Sequence, residues 1–261
     1  MTESKPVALI TGASAGIGES FGRALAARGH DLVVVARDEG RLMQQAEALG
    51  LEHGASIEVV AADLTTPAGV ARVESRLGDR DRPIDLLVNN AGFGTSGSFA
   101  ELPIDTEVRM IELNIVTLVR LTHAALAPML ERDRGGVINV SSLGAYQPTP
   151  FSATYAATKA FVSSFTQAVH EELQSTNVRI MVLAPGFTRT EFHDRNAVDI
   201  EALPDWFWST SDEVVAHALR AYESGRTVCI PGALNAVAGA FSSVMPAGIT
   251  RKIAKQVMRR T

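Results

Sequence analysis

Short apolar runs recur along the chain at Val7–Ile10, Leu32–Ala36, Ile57–Ala62, Ile84–Val88, Val137–Val140, Val178–Ala184 and Thr227–Ile230. Rich in Val, Ile and Leu, with little alternation between apolar and polar, they have the pattern of strands buried on both faces, as strands of parallel sheets are. Between them lie stretches with helical spacing: Glu19–Arg28, Glu39–Leu51, Pro67–Leu77, Thr106–Arg132, Tyr155–Leu173 and Asp212–Glu223, the last with Ser211 as its expected cap. Repeated strand-helix alternation predicts an α/β fold, a doubly wound parallel sheet of about seven strands forming a single domain over residues 1–261. In such sheets ligands bind beyond the carboxyl ends of the strands, so the residues at those ends carry the functional reading.

The first run ends in Thr11-Gly12-Ala13-Ser14-Ala15-Gly16-Ile17-Gly18 and leads into a helix. Strand, glycine-rich turn and helix point backbone N–H groups at an anionic phosphate, and glycines let a dinucleotide approach the main chain. This is the Rossmann-type arrangement, although the Gly-x-x-x-Gly-x-Gly spacing departs from the common Gly-x-Gly-x-x-Gly fingerprint. After the second run come Ala36 and Arg37 where an acidic residue would select NAD. Arg37 can pair with a 2′-phosphate, which favours NADP(H) over NAD(H), while Asp38 keeps NAD open. The third run ends at Asp63 and Leu64; Asp63 is read as a partner for the adenine amino group, as a cap for the next helix with Thr65 and Thr66, or as both. The fourth runs into Asn89-Asn90-Ala91-Gly92, the fifth into Ser141-Ser142, and the sixth into Pro185-Gly186-Phe187-Thr188.

Composition narrows the class. A chain of 261 residues, 46% hydrophobic and 20% charged, is long enough for one α/β domain with a sizeable core. A net charge of -5 argues against binding nucleic acid through phosphate neutralisation. One cysteine, Cys229, excludes an internal disulfide framework, fits a reducing compartment and is read as a buried strand thiol. The polar stretch Met1–Pro6 shows no signal or transit peptide, so a cytoplasmic location is expected. No metal site is read from the sequence.

Tyr155-Ala156-Ala157-Thr158-Lys159 places a phenol and an ammonium one helical turn apart on one face. A free tyrosine titrates near ~10; a fixed positive charge nearby favours phenolate and is expected to bring that value towards the working range. Asn114, a polar residue among Ile111, Leu113, Ile115 and Leu118, has the plainer reading of satisfying buried backbone groups.

Together these residues resemble the short-chain dehydrogenase/reductase family over Val7 to about Thr190. Thr11-Gly12-x-x-x-Gly16-x-Gly18, Asn89-Asn90-Ala91-Gly92, Asn114, Ser142, Tyr155-x-x-x-Lys159 and Pro185-Gly186 stand where that family's pattern puts them. The resemblance implies Tyr155 as general acid/base and Ser142 as donor to the substrate oxygen. It implies Lys159 on the nicotinamide ribose while lowering the tyrosine pKa, and Asn114 holding a relay water. Asn90 would brace the cofactor site and Thr188 contact the carboxamide. The implied cofactor contacts are Gly12, Ser14, Ala15, Gly16, Ile17, Gly18, Arg37, Asp63, Leu64, Asn90, Ala91, Gly92, Tyr155, Lys159, Pro185, Gly186 and Thr188. Ala15 stands where many NADP-preferring members carry a basic residue, so cofactor choice rests on Arg37. Dimers and tetramers are common among such proteins, and a homo-dimer or homo-tetramer is expected here.

Residues 191–211 hold Trp206, Phe207 and Trp208 in the region expected to form a substrate loop or lid. With Tyr146 and Phe151 they are read as lining a pocket for an apolar ketone, aldehyde or secondary alcohol. From Thr227 to Thr250 no residue is charged, and Arg251, Lys252, Lys255, Arg259 and Arg260 follow. Pro231, Asn235, Ser242, Ser243 and Pro246 argue against a transmembrane helix. The apolar and then basic extension, 231–261, is read first as a lid or oligomer interface, next as a peripheral membrane contact, and last as a flexible tail. Two alternatives of the same fold are a nucleotide-sugar epimerase-type enzyme and a non-catalytic dinucleotide-sensing binding module. The first would show Gly-x-x-Gly-x-x-Gly spacing, and the second would lack one of Ser142, Tyr155 and Lys159.

Overall fold

A computed structural model describes residues 5–190 and 208–232. Its strands are β1 (Val7–Thr11), β2 (Asp31–Ala36), β3 (Ile57–Ala61), β4 (Leu86–Asn89), β5 (Gly135–Val140), β6 (Val178–Leu183), β7 (Thr188–Arg189), β8 (Ser209–Thr210) and β9 (Val228–Cys229). The helices are α1 (Gly16–Ala26), α2 (Glu39–His53), α3 (Pro67–Leu77), α4 (Ile104–Ile111), α5 (Leu118–Glu131), α6 (Ala153–Glu172) and α7 (Ser211–Glu223). Seven strands form one parallel sheet in the order β3-β2-β1-β4-β5-β6-β9. The expected Rossmann-type sheet is what the chain forms, and the order turns back between β1 and β4, where a crevice opens beyond the strand ends.

Strands β1 to β6 feed two cores because successive side chains point to opposite faces. Along β1, Ala8 and Ile10 pack with Phe21 and Leu25 of α1, Leu42 and Leu49 of α2, and Val214 and Leu219 of α7. Leu9 faces the other way, with Val73 and Leu77 of α3 and Leu121, Ala125 and Met129 of α5. Cys229 is the buried strand thiol the sequence suggested, and burial pushes its pKa up to about 11. Among the described residues one helical run, Ile104–Glu131, is long and apolar enough to cross a membrane. Met110, Leu121, Ala125 and Met129 along it are buried in the domain.

Three local features differ from the sequence reading. The single helix expected over Thr106–Arg132 is broken by a π turn at Glu112–Thr117, between α4 and α5, which holds Asn114. The helix expected to open at Tyr155 begins at Ala153, leaving Tyr155 inside its first turn. The cap of α7 is Thr210 rather than Ser211: its hydroxyl accepts from the Glu213 N–H, and the Glu213 carboxylate accepts from the Thr210 N–H, a reciprocal capping box. Trp206, Phe207 and nearly all of the apolar and basic extension lie outside the described residues.

Candidate active site

The glycine turn is built to be approached closely. Gly12 (φ +65) and Gly16 (φ +56) take left-handed backbone conformations. A Cβ on Gly12 would lie 2.9 Å from Asn90 Nδ2 and 3.0 Å from Ala91 Cα, and one on Gly18 would strike the Gly12 carbonyl. Asn90 braces the glycine turn, donating through Nδ2 to the carbonyls of Thr11 (3.0 Å) and Gly12 (3.2 Å). Thr11 completes the brace. Its Oγ1 accepts from the N–H groups of Asn90 and Ala91, both at 3.0 Å, and tethers β4 to β1. Ser14 and Ile17 are half-buried around the turn, and Ala15 is the extended N-cap of α1 with no side-chain cap bond. The first-turn N–H groups of that helix therefore have no capping side chain, which suits a pyrophosphate. A cradle that a single Cβ would fill, at the uncapped start of a helix, fits a dinucleotide.

Arg37 is exposed just beyond β2. Asp38, which kept NAD open, is engaged as the N-cap of α2, accepting from the Arg41 N–H at 3.0 Å. Asp63 turns the chain after β3, its Oδ1 accepting from the N–H (2.9 Å) and hydroxyl (2.8 Å) of Thr65. The cap of α3 is Thr66, so Asp63 shapes the turn and does not cap the helix. Partial burial raises the Asp63 pKa, but the Thr65 hydrogen bonds and the charges of Arg37 and Arg109 outweigh it and hold the carboxyl below its usual range. Arg37 and Asp63 thus share one end of the crevice, with Leu64 buried beneath.

The other end is assembled from four segments. Ser142 follows β5, its Oγ accepting from the Gly144 N–H at 3.1 Å and hydrogen-bonding the Tyr155 phenol. Lys159, buried one turn along α6, donates through Nζ to the Val140 carbonyl at 2.9 Å and lies 5.8 Å from the Tyr155 ring centroid. Asn114 Nδ2 donates to the Phe93 carbonyl (2.9 Å) and to Thr158 Oγ1 (3.1 Å), while its Oδ1 accepts from the Phe93 N–H (3.2 Å). Gly92 is needed where these meet, because a Cβ there would stand 2.9 Å from Asn114 Oδ1 and 3.5 Å from Lys159 Nζ.

The electrostatics depart from the sequence expectation. Tyr155 keeps part of its surface open, yet the protein packed around its hydroxyl pushes its pKa up, against a smaller downward pull from Ser142. Burial lowers Lys159 to about 8. Desolvation disfavours the charged form of each group and outweighs the attraction between them, so the phenol is protonated at neutral pH. Both N–H groups of the Asn114 amide are spent on protein acceptors, so its side chain braces the segment after β4 against α6.

Residues 6–200 match the family described as short chain dehydrogenase. The chain belongs to that family. The dehydrogenase shares 36% identity and a TM-score of 0.83 with a short-chain dehydrogenase from Sphingobium yanoikuyae in complex with NADPH, over 92% of this chain and 96% of that one. With the bulky-bulky ketone specific alcohol dehydrogenase from Comamonas testosteroni it shares 33% identity and a TM-score of 0.79, over 92% and 95%. Sulfoacetaldehyde reductase 2 of Chromohalobacter salexigens is 35% identical over 188 residues, 71% of this chain and 74% of that protein. These relationships make it an NAD(P)-dependent oxidoreductase. A bulky ketone and a small charged aldehyde stand among the substrates of its relatives, so family membership alone does not fix its own.

Beyond β6 the dehydrogenase forms a second, two-stranded sheet. The Pro185 carbonyl accepts from the Leu143 N–H at 2.8 Å, and buried Thr188 donates to the Gly186 carbonyl at 3.1 Å. β7 pairs with β8 in parallel, tying the two ends of the 190–208 segment together. Of the five aromatics expected to line a pocket, Trp208 packs on that base, against Phe187 (5.8 Å between centroids) and Arg189 (5.4 Å). The Tyr146 hydroxyl is buried beside Ser163, and burial raises its pKa. Phe151 is exposed with φ +63, its carbonyl accepting from the Gly97 N–H at 2.8 Å. The sequence reading passed over Thr158, which meets both Asn114 and Tyr155. Its place beside Lys159 in the motif was the available signal.

Proposed function

We propose that this dehydrogenase interconverts an apolar ketone or aldehyde and its alcohol with NADP(H), using Tyr155 as general acid/base. The observation that carries the reading is the Ser142–Tyr155 hydrogen bond, which sets two hydroxyls side by side at the crevice with Lys159 buried one turn away. The cofactor supplies or removes a hydride. Gly12–Gly18 and Asn90–Gly92 would hold its phosphates and frame, Asp63 and Leu64 its adenine end, and Lys159 with Pro185–Thr188 its nicotinamide end. In reduction Tyr155 gives its proton to the substrate oxygen while Ser142 steadies the developing charge, and in oxidation the phenolate takes the proton back. The Lys159 charge stabilises the phenolate.

NADP(H) preference is supported by exposed Arg37, which has no ion-pair partner among the described residues, and by the commitment of Asp38 to capping. The apolar substrate class is supported by exposed Phe151 ahead of the catalytic helix and by the likeness to a bulky-ketone enzyme. Exposed Ile104, Val108 and Ile111 along α4, and exposed Phe161 on neighbouring α6, support a homo-oligomer. A cytoplasmic setting belongs to the same proposal, consistent with a lone buried thiol.

An absorbance assay at the reduced-nicotinamide band tests the reading, with NADPH and NADH against carbonyls graded from bulky apolar ketones to sulfoacetaldehyde. Bulky ketones with NADPH should react best. Tyr155→Phe should reduce turnover by at least ~10²-fold with NADPH binding nearly intact. Unchanged turnover in that variant would defeat the assignment, and preference for the sulfonated aldehyde would defeat the apolar substrate class.

A further inference from the structure

The main-chain carbonyls of Tyr155 and Lys159 each receive a hydrogen bond from a buried hydroxyl. Thr158 Oγ1 donates to the Tyr155 carbonyl at 2.7 Å, and Ser141 Oγ donates to the Lys159 carbonyl at 2.7 Å. Neither hydroxyl belongs to the proton-transfer set. Thr158 is 1% exposed and Ser141 3%. Both are anchored to other parts of the fold: Thr158 accepts from the Asn114 amide in the π turn, and Ser141 stands at the end of β5 beside Ser163, 2.8 Å away.

The first turn of α6 lacks a side-chain cap. Its N-cap residue is Ser152, and uncapped first turns fray. A serine or threonine hydroxyl that bonds a carbonyl one turn back normally bends a helix slightly and costs stability. Here one such bond falls on the carbonyl of the residue whose phenol must meet Ser142. The bond on Lys159 comes from the strand that also supplies the Val140 carbonyl to its amine.

We propose that Thr158 and Ser141 are positioning residues that fix α6 at the two residues of its reactive face. Thr158 relays the location of the Asn114 π turn to Tyr155, and Ser141 relays that of β5 to Lys159. The proposal rests on the reading of Tyr155 as the acid. The same helix provides a control: Thr166 Oγ1 donates to the Val162 carbonyl at 2.7 Å and accepts from Asn139 Nδ2 at 3.0 Å, two turns farther along and away from Tyr155.

The test compares Thr158→Val, Ser141→Ala and Thr166→Val in the full chain, with a ketone that the wild type turns over. Thr158→Val and Ser141→Ala should each lower kcat by ~10–100-fold with KM and NADPH affinity little changed. Thr158→Ser should recover most of the rate. Thr166→Val should lower the melting temperature and leave kcat near wild type. Amide exchange across residues 153–161 of the protein alone should quicken in Thr158→Val and not in Thr158→Ser. Should Thr158→Val fail to fold, Thr158→Ala against Thr158→Ser asks the same question with two smaller side chains. Wild-type kcat in both Thr158→Val and Ser141→Ala, or an equal kcat loss in Thr166→Val, overturns the proposal. Tyr155→Phe separates the failures, because an active Tyr155→Phe sinks the reading of the acid itself.

Discussion

Replacing Lys159 with methionine, a neutral side chain of similar length, should make the dehydrogenase more stable at pH 7. Burial moves the Lys159 amine from 10.5 to about 8. The charged form loses its hydration and receives the Val140 carbonyl at 2.9 Å and the Tyr155 ring at 5.8 Å in exchange. At pH 7 the amine is charged in the folded and the unfolded chain, so folding bears the whole displacement. At ~1.4 kcal/mol per pH unit this comes to about 3 kcal/mol. Methionine loses the bond to Val140 and leaves that carbonyl short of a partner, at a cost of about 1 kcal/mol. The net gain is about 2 kcal/mol, or a rise of ~4–8 °C in Tm for a chain of this size.

The pH dependence separates this account from a general packing effect. The folded-state value lies below the unfolded one, so between about pH 8 and 10.5 the unfolded chain holds more protons. The wild type therefore gains stability as pH rises through that window, and loses it again as pH falls through about 8. The advantage of methionine is largest below that point and is gone by 10.5, where the retained hydrogen bond leaves the wild type ahead. Thermal melts followed by circular dichroism on nucleotide-free protein, from pH 7 to pH 10, measure the gap. A variant that melts below wild type at pH 7, or a gap that does not narrow with rising pH, would refute the reasoning.

Arg37→Ala should erase most of any preference for NADPH over NADH, read as the ratio of the two kcat/KM values; a full preference in the variant removes Arg37 from the account. Gly92→Ala drives a methyl against Asn114 Oδ1 and should cost ~1–3 kcal/mol together with turnover, checked by urea unfolding and the nicotinamide assay. Val108→Asp charges the exposed apolar row of α4 and should dissociate an oligomer that the wild type forms in sedimentation velocity; an undisturbed assembly would place the interface elsewhere.

The sheet was legible because parallel strands are apolar throughout, and the seven runs lie within a few residues of the seven strands. The glycine turn and Asn90 were legible because close backbone approach leaves few residue choices. What the sequence concealed lies in tertiary contact. The hydrophobic spacing across Glu112–Thr117 does not register one extra residue in a turn, so the π turn that aims Asn114 at Phe93 and Thr158 was invisible. The capping box at Thr210 was readable as Thr-x-x-Glu, but an adjacent serine competed for the same role. The sign of the Tyr155 shift was the larger miss. The spacing to Lys159 gives the attraction between the two groups, whereas desolvation is set by everything folded around the hydroxyl.

That sign bears on how the proposed chemistry works. A phenol already ionised in the resting protein would draw its stabilisation from Lys159 before any reaction, and none would remain for the barrier. With Tyr155 protonated, the attraction between phenolate and ammonium is expressed only as the proton leaves, which is when stabilisation accelerates a reaction. Nζ lies 5.8 Å from the ring centroid, and opposite unit charges held roughly 5–6 Å apart at an effective dielectric of ~20 attract by on the order of 3 kcal/mol. That amounts to roughly two powers of ten in rate. The same burial that lowers the stability of the folded chain also keeps water from screening this attraction. On the proposed mechanism, Lys159→Met exchanges that rate for the added stability, so a variant both hotter-melting and ~10²-fold slower is the combined expectation.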